Sequence, residues 1–106
     1  VKSVRHEVRS YEMIGLCFIR KRIYDLAAEQ FKKALAASKE TAAGETAKRL
    51  NYWLGRTYEL LNDPRAAREW YLKVYAADIN YKDVSSKVEE LGSGETEEDV
   101  SRMEDQ

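Results

Sequence analysis

The sequence predicts an all-α fold in which antiparallel helical hairpins stack as a short solenoid. The first observation is an internal repeat, because segments forty residues apart carry the same residue types in the same order. The second is the helical spacing of the apolar residues within each copy. The third is composition: the 106 residues include one proline, and 43% are apolar and 35% charged, which is typical of a globular helical domain.

The repeat emerges when residues 11–38 are aligned with residues 51–78. Small, aromatic and charged residues keep the same register in both copies. Six of the matched pairs are Gly15 with Gly55, Ile14 with Leu54, Phe18 with Tyr58, Ala27 with Ala67, Phe31 with Tyr71, and Lys33 with Lys73. A two-copy repeat of this length indicates two related structural units in one chain.

The first unit, at about residues 4–38, is predicted to be a hairpin of two helices. Each helix has one apolar stripe, and a turn near Lys21 and Arg22 separates the two. The residues expected to face inward are Val4, Val8, Tyr11, Ile14, Gly15 and Phe18 on the first helix, and Leu26, Ala27, Phe31, Ala34 and Leu35 on the second.

The second unit, at about residues 46–78, is predicted to repeat this hairpin. Its turn has clear signals, because Asn62 tolerates a left-handed backbone, Asp63 can cap a helix and Pro64 suits a first helical position. The residues expected to face inward are Leu50, Leu54, Gly55, Tyr58 and Leu61, followed by Ala67, Tyr71, Val74 and Tyr75.

These residues resemble the tetratricopeptide repeat, whose pattern is W-x2-L-G-x2-Y followed by A-x3-F. The first copy reads YEMIGLCF and AAEQF, with Tyr11 in the tryptophan place, and the second reads NYWLGRTY and AREWY. The resemblance covers about residues 4–91 and implies a right-handed α-solenoid in which Gly15 and Gly55 allow close approach of paired helices. The period exceeds the family's 34 residues by about six, which indicates an insertion around KETAAGE.

A capping helix is predicted at about residues 81–91, where three apolar residues, Val84, Val88 and Leu91, recur at helical spacing. Its outer side, with Lys87, Glu89 and Glu90, is expected to be polar, as the end of a solenoid requires. Together with the hairpins it completes a domain over residues 1–91. Residues 92–106 are rich in acids and are expected to form a flexible tail.

The sequence offers no set of residues that could perform catalysis, so the protein is not expected to be an enzyme. His6 is the only histidine, and Cys17, the only cysteine, is expected to be buried and inert within the apolar run MIGLCFI. One histidine and one cysteine cannot supply a closed metal site, and no cofactor is expected. Nucleic-acid binding is disfavoured as well, because the longest basic run has three residues and the tail is acidic.

Binding of another protein is the function that the resemblance implies, through a concave groove lined by the first helix of each hairpin. Helical geometry selects the side opposite the inward stripe as the face of this groove. The residues predicted to contact a partner are Arg9, Glu12, Leu16, Ile19, Arg20, Arg49, Tyr52, Arg56 and Glu59. This mixture predicts a protein or peptide partner that is acidic and carries an apolar anchor.

A second interpretation makes the chain a structural end-piece of a longer solenoid, which contributes stability or self-association. Two hairpins fall below the three repeats usually needed for stability, which favours either a truncated array or a homodimer. The chain begins at Val1, which indicates that the native N-terminus is missing. No apolar stretch reaches the roughly 20 residues that span a bilayer, so no direct membrane contact is expected. A soluble, cytoplasmic location is favoured over export, and the compartment stays open.

Overall fold

A computed structural model describes residues 2–39 and 44–92, and helices account for nearly all of the backbone in these two ranges. The helices are α1 (Lys2–Arg20), α2 (Tyr24–Ala37), α3 (Glu45–Leu60), α4 (Pro64–Ala77) and α5, which covers residues 84–92. Helix α1 packs on α2, α2 on α3, and α3 on α4, and the described residues contain no strand. The prediction of an all-α solenoid of helical hairpins is therefore confirmed. Residues 93–106 of the predicted tail and residues 40–43 of the insertion lie outside the described residues, whereas Gly92, predicted to begin the tail, belongs to α5.

The turns of the two hairpins have the same backbone structure. Arg22 and Asn62 adopt left-handed conformations, with φ of 63° and 62°. The amide of Ile23 donates to the carbonyl of Phe18 at 2.9 Å, and the amide of Asp63 donates to the carbonyl of Tyr58 at the same distance. These bonds satisfy carbonyls that the end of a helix otherwise leaves unpaired. The forty-residue repeat thus extends from the sequence to the hydrogen bonds.

The two turns differ in how they begin the next helix. Asp63 accepts a hydrogen bond from the amide of Ala66 at 3.2 Å, and Pro64 occupies the first helical position of α4. Ile23 occupies the equivalent position before α2 with nearly the same backbone angles, but its side chain cannot accept a bond. Of these two helices, α4 alone therefore receives the stability that a side-chain cap provides.

Gly15 and Gly55 allow the close approach inside each hairpin that their place in the repeat suggested. A Cβ atom at Gly15 would lie 2.7 Å from the ring of Phe31, and one at Gly55 would lie 2.5 Å from the ring of Tyr71. Both rings are completely buried, so neither has free space into which it could move. Each glycine thus trades helix propensity for tight aromatic packing.

The core consists of two clusters. The first joins the two hairpins through Val8, Ala27, Ala28, Phe31, Ala34, Leu50 and Leu54. The second joins α4 to α5 through Ala67, Tyr71, Val74 and Val84, with Val88 and Leu91 packed against them. Because Val84 is fully buried, α5 is an integral part of the packed structure.

Three residues expected to be buried are exposed. Ile14 and Leu26, predicted to face inward, retain 43% and 39% of their exposure, and Cys17 is exposed rather than buried. The helical spacing of the apolar residues correctly places these three on one apolar side of the hairpin, but none of the described residues covers that side. The prediction of their burial is therefore wrong.

Candidate functional site

The residues predicted to bind a partner lie on α1 and α3, and we call them together the α1–α3 surface. The most direct link between the two helices is the ion pair of Arg49 with Glu12. The guanidinium donates two hydrogen bonds to the carboxylate, at 2.6 and 2.9 Å, and the Glu12 side chain is only 12% exposed. Such a two-point bond fixes the relative register of the helices. Arg49 and Glu12 are thus engaged with each other.

Tyr52 connects this surface to the segment that precedes α5. Its hydroxyl donates to the Asp83 carboxylate at 2.5 Å, and its ring makes edge-to-face contacts with Tyr71 and Tyr81. Burial, reinforced by the bond to Asp83, raises the pKa of Tyr52 to about 12. The hydroxyl therefore remains protonated at neutral pH and acts as a fixed donor.

Glu59 is occupied by two internal donors. The hydroxyl of Tyr71 donates to one carboxylate oxygen at 2.5 Å, and the ammonium of Lys87 lies 3.3 Å from the other. Burial and the bond to Glu59 together raise the pKa of Tyr71 well above its ordinary value. The Lys87 side chain is only 17% exposed, so its predicted place on the outer side of the capping helix is wrong. Lys87 instead attaches α5 to α3.

Leu16 and Ile19 contribute mainly to packing. Both are partly buried against the first core cluster, as is Trp53 of α3, whose ring stacks on Phe31 with the centroids 6.0 Å apart. These side chains therefore stabilise the contact between the hairpins and offer only part of their surface to a partner.

Three arginines of the predicted site remain available. Arg9, Arg20 and Arg56 are exposed, and none of them forms an ion pair with any of the described residues. Leu60, one turn after Arg56 on α3, is also 42% exposed. The α1–α3 surface thus presents free positive charge beside an apolar side chain, while its acids are already satisfied.

The register set by Glu12 and Arg49 relates two of these arginines to each other. Because α1 and α3 are the first helices of successive hairpins, they run in the same direction. Ile19 lies seven residues, or two turns, after Glu12 on α1, and Arg56 lies seven residues after Arg49 on α3. Ile19 and Arg56 are therefore at the same height along the two helices. Arg20 follows Ile19, so Arg20 and Arg56 belong to the same end of the surface.

Asp83, Lys87 and Tyr81 contribute to the surface although the sequence reasoning did not include them. They lie in or just before α5, which bonds to α3 much as α3 bonds to α1. The signal that could have found them is the repeat itself, since α5 occupies the place of the first helix of a third hairpin.

The described residues offer little to other chemistries. No group of three or more histidine, cysteine or acidic side chains among them could hold a metal ion. His6 is exposed at the start of α1, eleven residues from Cys17. None of the described helices is both long and apolar enough to cross a bilayer.

Comparison with known proteins agrees with the geometry. Residues 48–79, which cover α4 and most of α3, match the family model of the tetratricopeptide repeat. No curated protein was found to match the chain. The matched hairpin shares its turn, its buried glycine and its aromatic partner with the hairpin forty residues earlier. The second hairpin is therefore a tetratricopeptide repeat.

Proposed function

We propose that the protein is a non-catalytic interaction module that binds a segment of another protein on the α1–α3 surface. The family assignment indicates a protein–protein interaction module in general. The observation that supports this particular surface is its uneven use of charge. Glu12 and Glu59 are bonded to internal donors, whereas Arg9, Arg20 and Arg56 are exposed and unpaired with any described acid. Unpaired arginines are common energetic anchors of interfaces.

The surface favours an acidic segment that carries an apolar side chain. Arginine binds carboxylates through two parallel hydrogen bonds, which provides both affinity and orientation. Tyr52, Arg56 and Leu60 are spaced four residues apart and therefore form one stripe along α3. A partner's apolar side chain can pack on Leu60 while its acids engage Arg56 and Arg20.

The test must use arginines that the fold does not need. Arg49 is unsuitable, since its reversal would leave Glu12 facing a second negative charge in a half-buried position. Arg20→Gln combined with Arg56→Gln removes both charges, and it places no new carboxylate beside Asp83, on which the charge of Arg56 acts. Lys33→Gln combined with Lys39→Gln is the matched control, because both lysines are exposed and lie outside α1 and α3.

The probe is a set of short peptides that combine several acids with one leucine or phenylalanine, compared with the same peptides in which lysine replaces the acids. We expect the acidic peptides to bind the unmodified protein and the control variant equally, with affinity that falls as salt is added. Binding to the arginine variant should weaken about tenfold or more, because each charge-assisted bond contributes about 1.5–3 kcal/mol.

Two results would contradict this proposal. One is equal binding of acidic and basic peptides, and the other is full binding by the arginine variant together with loss in the lysine control. Circular dichroism of both variants establishes that each is folded before binding is measured.

A further inference from the structure

The first helix of the second hairpin packs against the first hairpin along a continuous strip. Leu50, Leu54 and Thr57 are completely buried there. Trp53, on the same side, stacks on Phe31 of α2. These four positions of α3 therefore show which part of a hairpin is covered when another hairpin precedes it.

The equivalent positions of the first hairpin are uncovered. Forty residues before the buried strip lie Ser10, Met13, Ile14 and Cys17, and all four are exposed. Met13 retains 64% of its exposure and Ile14 retains 43%. Leu26 of α2 retains 39% of its exposure and belongs to the same side. It lies one turn before Gln30, the residue equivalent to Trp70, which is partly buried against the first core cluster. We call these five residues the uncovered face.

The opposite end of the molecule has a different character. The outward residues of α5 are polar or charged: Ser85, Ser86, Glu89 and Glu90 are all exposed. Stacking one copy on another in head-to-tail fashion would bury these acids against Met13 and Ile14 without a partner, which is strongly unfavourable. The uncovered face therefore does not match the other end of its own chain.

The uncovered face does match itself. Its side chains on α1 carry no charge, because Glu12, the only acid between Ser10 and Cys17, is turned toward Arg49. Ser10 and Cys17 are small and flank Met13 and Ile14. Two α1 helices can therefore approach closely, because the larger side chains of one copy can pack into the space beside the small ones of the other. Apolar surfaces of this kind are typical of association sites.

We propose that a second copy of this chain covers the uncovered face, so that two molecules associate through a two-fold axis with α1 against α1. The contact is isologous, which means that each copy contributes the same residues and the assembly closes at two. Arg9 and Arg20 of the α1–α3 surface border the uncovered face, four residues before and seven residues after Met13. The other part of that surface, on α3, lies on the side of α1 to which Glu12 points. The pairing rests on the uncovered face and does not depend on the function proposed for the α1–α3 surface.

The first test is the mass of the protein in solution, measured by analytical ultracentrifugation from low to high micromolar concentration. We expect the mass to rise from one copy to two and then to stop. Ile14→Arg should keep the protein monomeric throughout, because two arginines would meet across the axis. Leu60→Arg is the matched control, since Leu60 is equally exposed but lies on α3, and its mass should double as in the unmodified chain.

The second test uses Cys17, the only cysteine in the sequence. A short reagent with two maleimide groups should link two copies through Cys17 in the unmodified protein and in Leu60→Arg, but not in Ile14→Arg. A mass of one copy at every concentration would overturn the proposal and favour a preceding hairpin of the same polypeptide as the cover. A doubled mass that Ile14→Arg leaves unchanged, or that gives no link through Cys17, would also overturn it, because another face would then form the dimer.

Discussion

The two hairpins of this protein share a backbone but differ in what surrounds them. Leu54 is completely buried, whereas its counterpart Ile14 is 43% exposed. Both residues lie in the apolar stripe of the first helix of their hairpin, directly before the repeated glycine. The difference arises because the first hairpin covers α3, whereas no described residue covers α1 on that side. The comparison teaches that a repeat sequence specifies which side of a helix is apolar, while the neighbouring unit determines whether that side is buried.

The hairpins also differ in how the first helix bonds to the next one. Glu12 in α1 binds Arg49 of α3, and Tyr52, its counterpart in α3, binds Asp83 ahead of α5. The position is the same but the chemistry is different: the first contact is an ion pair and the second a hydrogen bond from a phenol. Equivalent positions can thus perform the same structural task with unrelated side chains.

The largest expected contrast comes from shortening the two counterparts. Leu54→Ala should lower the free energy of unfolding by about 2–5 kcal/mol, because it leaves a cavity between the hairpins. Ile14→Ala should lower it by about 1 kcal/mol or less, since the side chain is half exposed. Urea unfolding in dilute protein measures both values. Equal losses would mean that the first hairpin is covered after all.

The next contrast is between the two glycines that contact buried rings and a glycine that does not. Gly15→Ala and Gly55→Ala should each destabilise the protein by about 1–3 kcal/mol through overpacking against a buried ring, despite the better helix propensity of alanine. Gly92→Ala is the control, because the atoms nearest to its Cβ would belong to the guanidinium of Arg68, the end of a flexible side chain. Thermal unfolding should show no loss for Gly92→Ala. Tolerance at Gly55 would remove the close-packing explanation.

Substitutions at the N-caps of α2 and α4 should change the free energy of unfolding in opposite directions. Asp63→Ala should cost about 0.5–2 kcal/mol, because the amide of Ala66 loses its side-chain acceptor. Ile23→Asp should instead stabilise the protein by about 1 kcal/mol, since Ile23 has nearly the same backbone angles as Asp63 and no side-chain cap. Chemical unfolding of the two single variants checks both signs. A loss of stability in Ile23→Asp would show that the isoleucine contributes packing that the cap does not replace.

The smallest expected contrast is a change in the slope of stability against alkaline pH, and it concerns Tyr52. Its pKa is raised to about 12 in the folded protein, so the folded state holds this proton more tightly than the unfolded state, where the pKa is about 10. This contribution to stability is complete below about pH 10 and is lost as the pH rises toward 12. Tyr52→Phe should therefore show a shallower alkaline decline than the unmodified protein when unfolding is followed against pH. An identical decline would mean that Tyr52 is as accessible in the folded state as in the unfolded one.

Much of the fold was predictable because the repeat combines several independent signals. The glycine pair, the turn at Asn62 and Asp63, and the small residues Ala27 and Ala67 all specify the same hairpin. Lys87 shows where prediction failed, since a charge on a terminal helix is usually solvated and only the position of Glu59 reveals its partner. Helical periodicity predicted which residues share a face of α1 or α3, but it could not predict their bonding, because the ion pair of Arg49 depends on which helices become neighbours.

The most direct test of this account compares thiol reactivity at equivalent positions of the two hairpins. Cys17 is exposed, whereas Thr57, forty residues later and one turn from Leu54 and Trp53 on α3, is completely buried. Maleimide labelling of dilute unmodified protein should be fast, and labelling of the double variant Cys17→Ser, Thr57→Cys should be slower by about a hundredfold or more, because the second thiol must wait for local opening. Similar rates for the two proteins would contradict the claim that the neighbouring hairpin determines burial at these positions.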